Sequence, residues 1–185
     1  MKKLVRNIQL TELDPSDDLF LDIVETIINQ QLSDKAASTI FGRFKKLFKS
    51  HRHITHKNAL NLSDELIRQA GISYSKISYI KNTARAFINN EISIEKLTPL
   101  SDEKVISELT KIKGIGRWTA EMIMMFSLKR PDIFSVSDLG LCTAVSSLYD
   151  IDRKDKKKIE EISMAWIPYR SIACRYLWRS LEKKK

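Results

Sequence analysis

Hydrophobic positions along the chain recur at the spacing of an α-helix from residue 19 onward. The first two segments with this spacing cover residues 19–28 and 36–47, and Ser33 is placed to cap the second. Further segments of the same kind begin near Ser63, Ile77 and Ser101. No stretch alternates polar and apolar residues between hairpin turns, as the strand of a half-buried sheet would. The pattern therefore predicts an all-α protein.

The second half of the chain continues the same pattern. Four more helices are predicted there, from about Arg117 to Leu128, Asp138 to Tyr149, Asp155 to Trp166 and Tyr169 to Glu182. No linker rich in proline, glycine or serine divides the sequence. We expect residues 1–185 to form a single domain, folded as two helical lobes that flank a cleft.

The segment SDEKVISELTKIKGIGRWTAEMIMMFSL, residues 101–128, is typical of a helix, a tight turn and a second helix. In the turn, Gly114 and Gly116 allow a positive φ or the close approach of another backbone, and they leave the first N–H groups of the second helix uncovered. Such donors, aided by the helix dipole, suit a phosphate group. The same two glycines would also fit a plain turn between packed helices, so their spacing alone does not decide between these alternatives.

The composition favours a polyanionic partner. The formal charge is +9, from 32 Lys and Arg against 23 Asp and Glu, although part of the excess lies in runs typical of solvated surfaces. No apolar run is long enough for a membrane span and the N-terminus lacks the features of a signal peptide, so we expect a cytoplasmic protein, nucleoid-associated if prokaryotic, without a membrane partner. The two cysteines, Cys142 and Cys174, cannot form a four-cysteine iron–sulfur cluster.

The segment LTKIKGIGRWTAEMIMMFSLKRPDIFSVSDLGLCTAV, residues 109–145, resembles the helix-hairpin-helix motif and the aspartate-bearing loop of the helix-hairpin-helix (HhH-GPD) DNA glycosylase superfamily. It is most similar to the 3-methyladenine DNA glycosylase II branch, and weaker similarity continues at IINQQLSDKAASTIFGRF, GISYSKISYIKNTARAF and WIPYRSIACRYLW. The resemblance implies a base excision repair enzyme that binds double-stranded DNA containing damaged bases. It would flip an alkylated purine such as 3-methyladenine or 7-methylguanine out of the duplex and hydrolyse its N-glycosidic bond, which leaves an abasic site.

The resemblance also implies the catalytic residue. Asp138 matches the essential carboxylate of the family, and its predicted place at a helix N-terminus favours the negative charge that would stabilise a positively charged sugar or orient water. An ordinary N-cap carboxylate would occupy the same place. Many relatives carry two acidic residues in this loop, whereas here Ser137 precedes Asp138.

Two tryptophans are implied as walls of the base pocket. Trp118 stands where bifunctional relatives carry a lysine nucleophile, so the resemblance implies a monofunctional enzyme that forms no Schiff base at this position. An indole there could instead stack on a cationic N-alkylated purine. Trp178 matches a second pocket aromatic, and for this residue a place in the helical core is an equal alternative.

The resemblance implies the residue that fills the gap, whereas Lys76 is a candidate phosphate contact because it lies in a serine-rich helix start, with an ordinary solvated lysine as the alternative. Gln31 aligns with the residue that fills the gap left by a flipped base, with Leu32 beside it. The predicted DNA-binding residues are Gly114, Gly116, Gln31, Leu32, Thr119 and Lys76. Family hairpins also hold K⁺ or Na⁺ on main-chain carbonyls, which here would belong to Thr110, Ile112 and Ile115. No other cofactor is required by this chemistry.

Two functions outside the enzyme class remain alternatives. A non-catalytic helix-hairpin-helix DNA-binding module would need the glycines but neither a carboxylate at Asp138 nor an aromatic residue at Trp118. A helical regulator would present an exposed recognition helix and a dimerisation segment, and neither is evident in the sequence. A bifunctional oxidised-base glycosylase is disfavoured by the missing lysine and cluster cysteines. We expect the active protein to be a monomer.

Overall fold

A computed structural model of the chain describes residues 1–11 and 18–182. Within these residues the secondary structure consists of helices joined by turns, with no strand, so the prediction of an all-α fold is confirmed. The described α-helices are α1 Lys2–Asn7, α2 Leu19–Asn29, α3 Asp34–Lys45, α4 His56–Asn61, α5 Asp64–Gln69, α6 Tyr74–Ile88, α7 Ile94–Leu97, α8 Asp102–Thr110, α9 Arg117–Phe126, α10 Leu139–Tyr149, α11 Lys156–Met164 and α12 Arg170–Glu182. A 3₁₀ turn covers His51–His53.

The long helices begin where their capping residues predict. Ser33 caps α3, and its hydroxyl accepts a hydrogen bond from the N–H of Ala36 at 3.4 Å. Asp138 and Asp155, near which two helices were predicted to begin, are the N-caps of α10 and α11. The sequence pattern missed α1, α4 and α7, which are too short, at six, six and four residues, to show a full hydrophobic period.

The chain divides into two compact units. Ser16–Ile123 form the first, which we name the hairpin unit, and Met1–Pro15 with Met124–Lys185 form the second, the aspartate unit. The prediction that the whole chain forms one domain stays a prediction. Among the described residues, no helix has the length and hydropathy needed to cross a lipid bilayer.

The core of the hairpin unit forms where α2 and α4 pack against α6. The ring of Phe20 in α2 meets that of Phe87 in α6 edge to face, with centroids 5.6 Å apart, and His56 of α4 stacks on the same Phe87 ring. Ile23 and Ile27 of α2 are fully buried. The apolar face predicted for residues 19–28 is therefore the face around which this unit is built.

The aspartate unit is built around α12, against which both α1 and α10 pack. Val145 of α10 and Leu177 of α12 are completely buried. The segment that follows α9 leads into α10 through a turn region at residues 127–138. Because α10 is held on α12, its N-terminus has a fixed place within the unit.

Candidate active site and nucleic-acid interface

The turn between α8 and α9 is a tight hairpin shaped by Gly114. Gly114 has a φ of +111°, and the N–H of Ile115 donates to the carbonyl of Ile112 at 3.0 Å. A Cβ added at Gly114 would lie 2.2 Å from Cγ of Tyr79, far inside van der Waals contact. The positive φ predicted for this turn is present, and the space admits glycine alone.

Gly116 serves a different purpose in the same turn. Its carbonyl accepts the first hydrogen bond of α9, from the N–H of Ala120 at 3.0 Å, so Gly116 is the N-cap of that helix. A Cβ added at Gly116 would meet no protein atom within 4 Å. The glycine thus places no side chain over the N-terminus of α9 although the protein itself has room for one. This arrangement suits a backbone phosphate that approaches the first N–H groups of α9.

A second turn of the hairpin unit follows α2 and carries the predicted gap-filling residue. Gln31 has a φ of +58° and is exposed, and Leu32 beside it is 40% exposed. The side chain of Gln30 ties this turn to the hairpin, because its Nε2 donates to the carbonyl of Gly114 and to Oγ1 of Thr119, each at 3.1 Å. The sequence analysis did not identify Gln30, since its partners lie 84 and 89 positions away along the chain.

Two predicted DNA-binding side chains have protein partners instead. Thr119 is 2% exposed and accepts its hydrogen bond from Gln30. The ammonium of Lys76 donates to the carbonyls of Ile28 and Gln30, at 2.9 and 2.6 Å, and burial lowers the pKa of Lys76. Their contacts with DNA stay predictions, and the structure shows that both side chains support the turn after α2.

Trp118 lies in the first turn of α9, half-buried and in the hairpin unit. Its neighbour Arg117 donates hydrogen bonds to Glu103 and Glu121, at 3.1 and 2.9 Å, and these bonds, the one to Glu103 foremost, raise the pKa of Arg117. The guanidinium thus ties the start of α9 to α8. The indole of Trp118 therefore lies on a helix start that is joined to α8 by an ion pair at the surface.

Asp138 is the N-cap of α10 in the aspartate unit, and its side chain is half-buried. Its Oδ1 accepts a hydrogen bond from the N–H of Leu141 at 2.7 Å and another from the indole Nε1 of Trp178 at 3.0 Å. The predicted helix start is confirmed. Two donors from different helices fix the direction of the carboxylate, which is more than capping alone requires.

The aromatic support of Asp138 includes residues that the sequence analysis missed. Trp178 packs on Phe126, with ring centroids 5.9 Å apart and planes tilted by 30°. A Cβ added at Gly140 would lie 3.1 Å from both Oδ1 of Asp138 and Cδ1 of Trp178. Gly140 therefore makes room for the hydrogen bond between the indole and the carboxylate. Asp138 and Trp178, both predicted as site residues, are therefore in direct contact within this unit.

The loop that leads to Asp138 is anchored on the start of α12. Arg170 donates to both carboxylate oxygens of Asp132, at 2.7 and 2.9 Å, and to its carbonyl at 3.0 Å. These hydrogen bonds from Arg170 lower the pKa of Asp132. Ser171 adds a bridge, since its hydroxyl accepts from the N–H of Ile133 at 3.0 Å and donates to the carbonyl of Arg130 at 2.6 Å.

Cys174 lies on α12 in the interior of the same unit and is completely buried. Burial raises the pKa of its thiol, and the negative charge of Asp138 raises it further. The thiol therefore stays protonated and adds no charge beside the carboxylate. Both cysteines are free and buried.

Comparison with known proteins gives this architecture a family. The model of the HhH-GPD superfamily of base excision DNA repair proteins matches residues 24–169. This range contains the hairpin, the turn after α2 and Asp138. The chain belongs to the HhH-GPD superfamily.

Individual relatives agree with this placement. The chain is 33% identical over 180 residues to DNA-3-methyladenine glycosylase 1 of Schizosaccharomyces pombe, covering 96% of this chain and 79% of that protein. The solved structure of an S. pombe 3-methyladenine DNA glycosylase in complex with abasic DNA matches with a TM-score of 0.90 at 32% identity, over 98% of this chain and 90% of that one. A DNA-3-methyladenine glycosidase from Bacillus halodurans matches with a TM-score of 0.80 at 38% identity, over 97% and 82% of the two chains.

Proposed function

We propose that the protein is a monofunctional DNA glycosylase that excises alkylated purines of the 3-methyladenine and 7-methylguanine type. The observation that carries this proposal is the carboxylate of Asp138, directed by the N–H of Leu141 and the indole of Trp178. The chain combines this carboxylate with the bare helix N-terminus at Gly116. Relatives named as 3-methyladenine glycosylases support the same substrate class.

The reaction is a hydrolysis at the sugar of the flipped nucleotide. The bond between C1′ and the base nitrogen breaks, and the base leaves with the electron pair of that bond, which neutralises the positive charge of a methylated purine. Water supplies the oxygen that bonds to C1′ and releases its proton. Asp138 stabilises the positive charge that develops on the sugar, because a fixed carboxylate interacts more strongly with the transition state than with the neutral sugar.

The substrate is held by two kinds of contact. The first N–H groups of α9, left bare at Gly116, bind a phosphate of the DNA, and Gln31 with Leu32 enters the gap left by the flipped base. The indole of Trp118 stacks on the cationic purine. Because Trp118 replaces the nucleophilic lysine of bifunctional enzymes, the DNA strand stays intact after base release.

The carbonyls of Thr110, Ile112 and Ile115 fit a hard monovalent cation, K⁺ or Na⁺, since such ions bind main-chain carbonyl oxygens. Thr110 ends α8, where carbonyls lack partners within the helix, and the carbonyl of Ile112 uses one lone pair in the turn and keeps the other. The ion would add positive charge beside a bound phosphate. The site of action is the DNA itself, in a nucleoid or nucleus.

The decisive experiment measures base release from methylated DNA. We expect the wild-type protein to release 3-methyladenine and 7-methylguanine from duplexes treated with a methylating agent, as resolved by chromatography. The strand should break only after alkali, and borohydride should trap no covalent adduct. DNA binding without release of any base would contradict the proposal and favour a non-catalytic DNA-binding module, and a trapped adduct would contradict the monofunctional mechanism.

A further inference from the structure

The turn after α2 combines an exposed position with an unusual backbone. Gln31 adopts a left-handed conformation, at φ +58°, which non-glycine residues rarely take. Its side chain and that of Leu32 are both exposed. A backbone in this region persists only when its surroundings hold it there. The contacts that hold this turn therefore determine the position of Gln31 and Leu32.

The first of these contacts is made by Gln30. Its amide nitrogen uses both of its N–H groups, one toward the carbonyl of Gly114 and one toward Oγ1 of Thr119, each at 3.1 Å. The two acceptors lie on either side of the bare N-cap Gly116, so a single side chain spans the start of α9. Gln30 thereby links the exposed turn to the segment that would hold a phosphate.

The second contact is made by Lys76 from α6. Its ammonium donates to the carbonyls of Ile28 and Gln30, at the C-terminal end of α2. A cation there satisfies carbonyls that have no partner within the helix and complements the negative end of the helix dipole. Burial lowers the pKa of Lys76, so the ammonium is kept at this place against a cost of desolvation.

We infer that Gln30 and Lys76 are positioning residues, which fix the Gln31 turn to the hairpin so that gap filling and phosphate binding act as one rigid unit. The inference rests on the proposed glycosylase function, and it assigns a role to two residues that need not touch the reacting atoms. If the turn were loose, Gln31 would not be aligned with the vacated base stack when the phosphate is bound. Extrusion of the base from the duplex would then become less favourable, whereas the rate at which the glycosidic bond of an extruded base is cleaved would stay the same.

The test compares a paired lesion with an unpaired one. The substrates are two duplexes with 7-methylguanine, opposite cytosine in one and opposite an abasic-site analogue in the other, where extrusion costs less. For Gln30→Met, which keeps the size of the side chain and removes its donors, we expect single-turnover excision to fall about tenfold on the paired duplex and less than about twofold on the unpaired one. The matched control is Gln69→Ala, an exposed glutamine at the end of α5, which should change neither rate.

Further variants separate positioning from simple stability. Lys76→Met should show the same preference for the unpaired lesion, and Lys76→Arg, which keeps a donor, should recover part of the paired rate. Adding Gln31→Ala to Gln30→Met should reduce the paired rate little beyond Gln31→Ala alone, because both changes disable the same turn. Thermal melts accompany every variant. If Gln30→Met melts below the assay temperature, the positioning role is tested by whether Lys76→Arg recovers the paired-lesion rate that Lys76→Met loses.

The outcomes distinguish this inference from the proposed function. If the wild-type protein releases no base from either duplex, the proposed function fails, and the positioning role fails with it. If the wild type is active and the folded variants lose equal factors on both duplexes, Gln30 and Lys76 only stabilise the fold and the inference is overturned. Additive losses for Gln30→Met and Gln31→Ala would overturn it as well.

Discussion

The phosphate site of the hairpin unit and the carboxylate site of the aspartate unit consist of different chemical groups. The hairpin site consists of backbone N–H groups and carbonyls, and its two glycines matter through the side chains they lack. The site of the aspartate unit consists of side chains, a carboxylate held by an indole. Backbone groups bind phosphate whatever the DNA sequence, whereas a directed carboxylate acts on one reacting centre. The difference predicts that a side chain added at the N-terminus of α9 changes DNA affinity, whereas a substitution of the directed carboxylate changes the rate of chemistry.

Asp138→Asn gives the strongest expected effect. The amide keeps the capping acceptor but loses the charge, so single-turnover base release should fall by about 10²–10³-fold or more, while the melting temperature and DNA affinity stay close to wild type. Asp155→Asn is the matched control, since Asp155 caps α11 by accepting from the N–H of Lys158 at 2.9 Å. If Asp138→Asn released bases at the wild-type rate, the catalytic carboxylate would lie elsewhere.

Gly114→Ala should damage the fold of the hairpin unit. The added Cβ would overlap the ring of Tyr79, and the alanine would have to adopt a φ of +111°. We therefore expect a loss of about 3 kcal/mol in the free energy of unfolding. Denaturant titration measures this loss. The control is Gly42→Ala within α3, where a Cβ meets no atom within 4 Å and helix propensity predicts a small gain. Equal stability of the two variants would contradict the tight packing at Gly114.

Gly116→Ala separates binding from folding in the same turn. The protein has room for the new methyl group, so stability should fall by less than about 1 kcal/mol, the cost of a poorer N-cap. DNA affinity should fall by about tenfold, equally for damaged and undamaged duplexes, because the methyl group obstructs the phosphate. Fluorescence titrations with both duplexes measure this. An affinity unchanged from wild type would show that the bare N-terminus of α9 does not contact DNA.

Asp132→Asn tests the anchor of the aspartate unit and should give the smallest effect, about 1 kcal/mol of stability at pH 7. Arg170 lowers the pKa of Asp132, so the stabilisation is complete above the usual aspartate pKa and is lost as the pH falls through the lower value of the folded state. Wild type and variant should therefore converge in stability in acid. Asp152→Asn, at an exposed position, is the control. A difference that persists in strong acid would exclude the ion pair as its source.

The helices could be predicted from sequence because their signals are local. The periodic segment at residues 19–28 became α2, and Asp138 was placed at a helix start because an acidic N-cap precedes an apolar run. The supports of the two sites could not be predicted in this way. Gln30 finds its acceptors 84 and 89 positions away, and the indole of Trp178 lies 40 positions from Asp138. Contacts at such separations depend on packing, which no local pattern contains.

The lysines show the limit of reasoning from charge. Lys76 was a candidate phosphate contact with a solvated side chain as the alternative, and its ammonium reaches the end of α2, so its contact with DNA stays a prediction. Lys81 on the same helix pairs with Asp64. A sequence shows that a charge is present, but the geometry decides whether that charge faces the protein or the solvent.

The narrow space at Gly140 has a consequence for how this protein can diverge. A Cβ at position 140 would crowd Asp138 and Trp178, so one of these side chains would have to shift if the hydrogen bond between them were kept. Among homologues we expect glycine at position 140 wherever tryptophan occupies position 178, whereas glycine alone places no demand on position 178. A lineage that loses the indole is thereby released to gain a side chain at position 140, and the reverse order of substitutions is disfavoured.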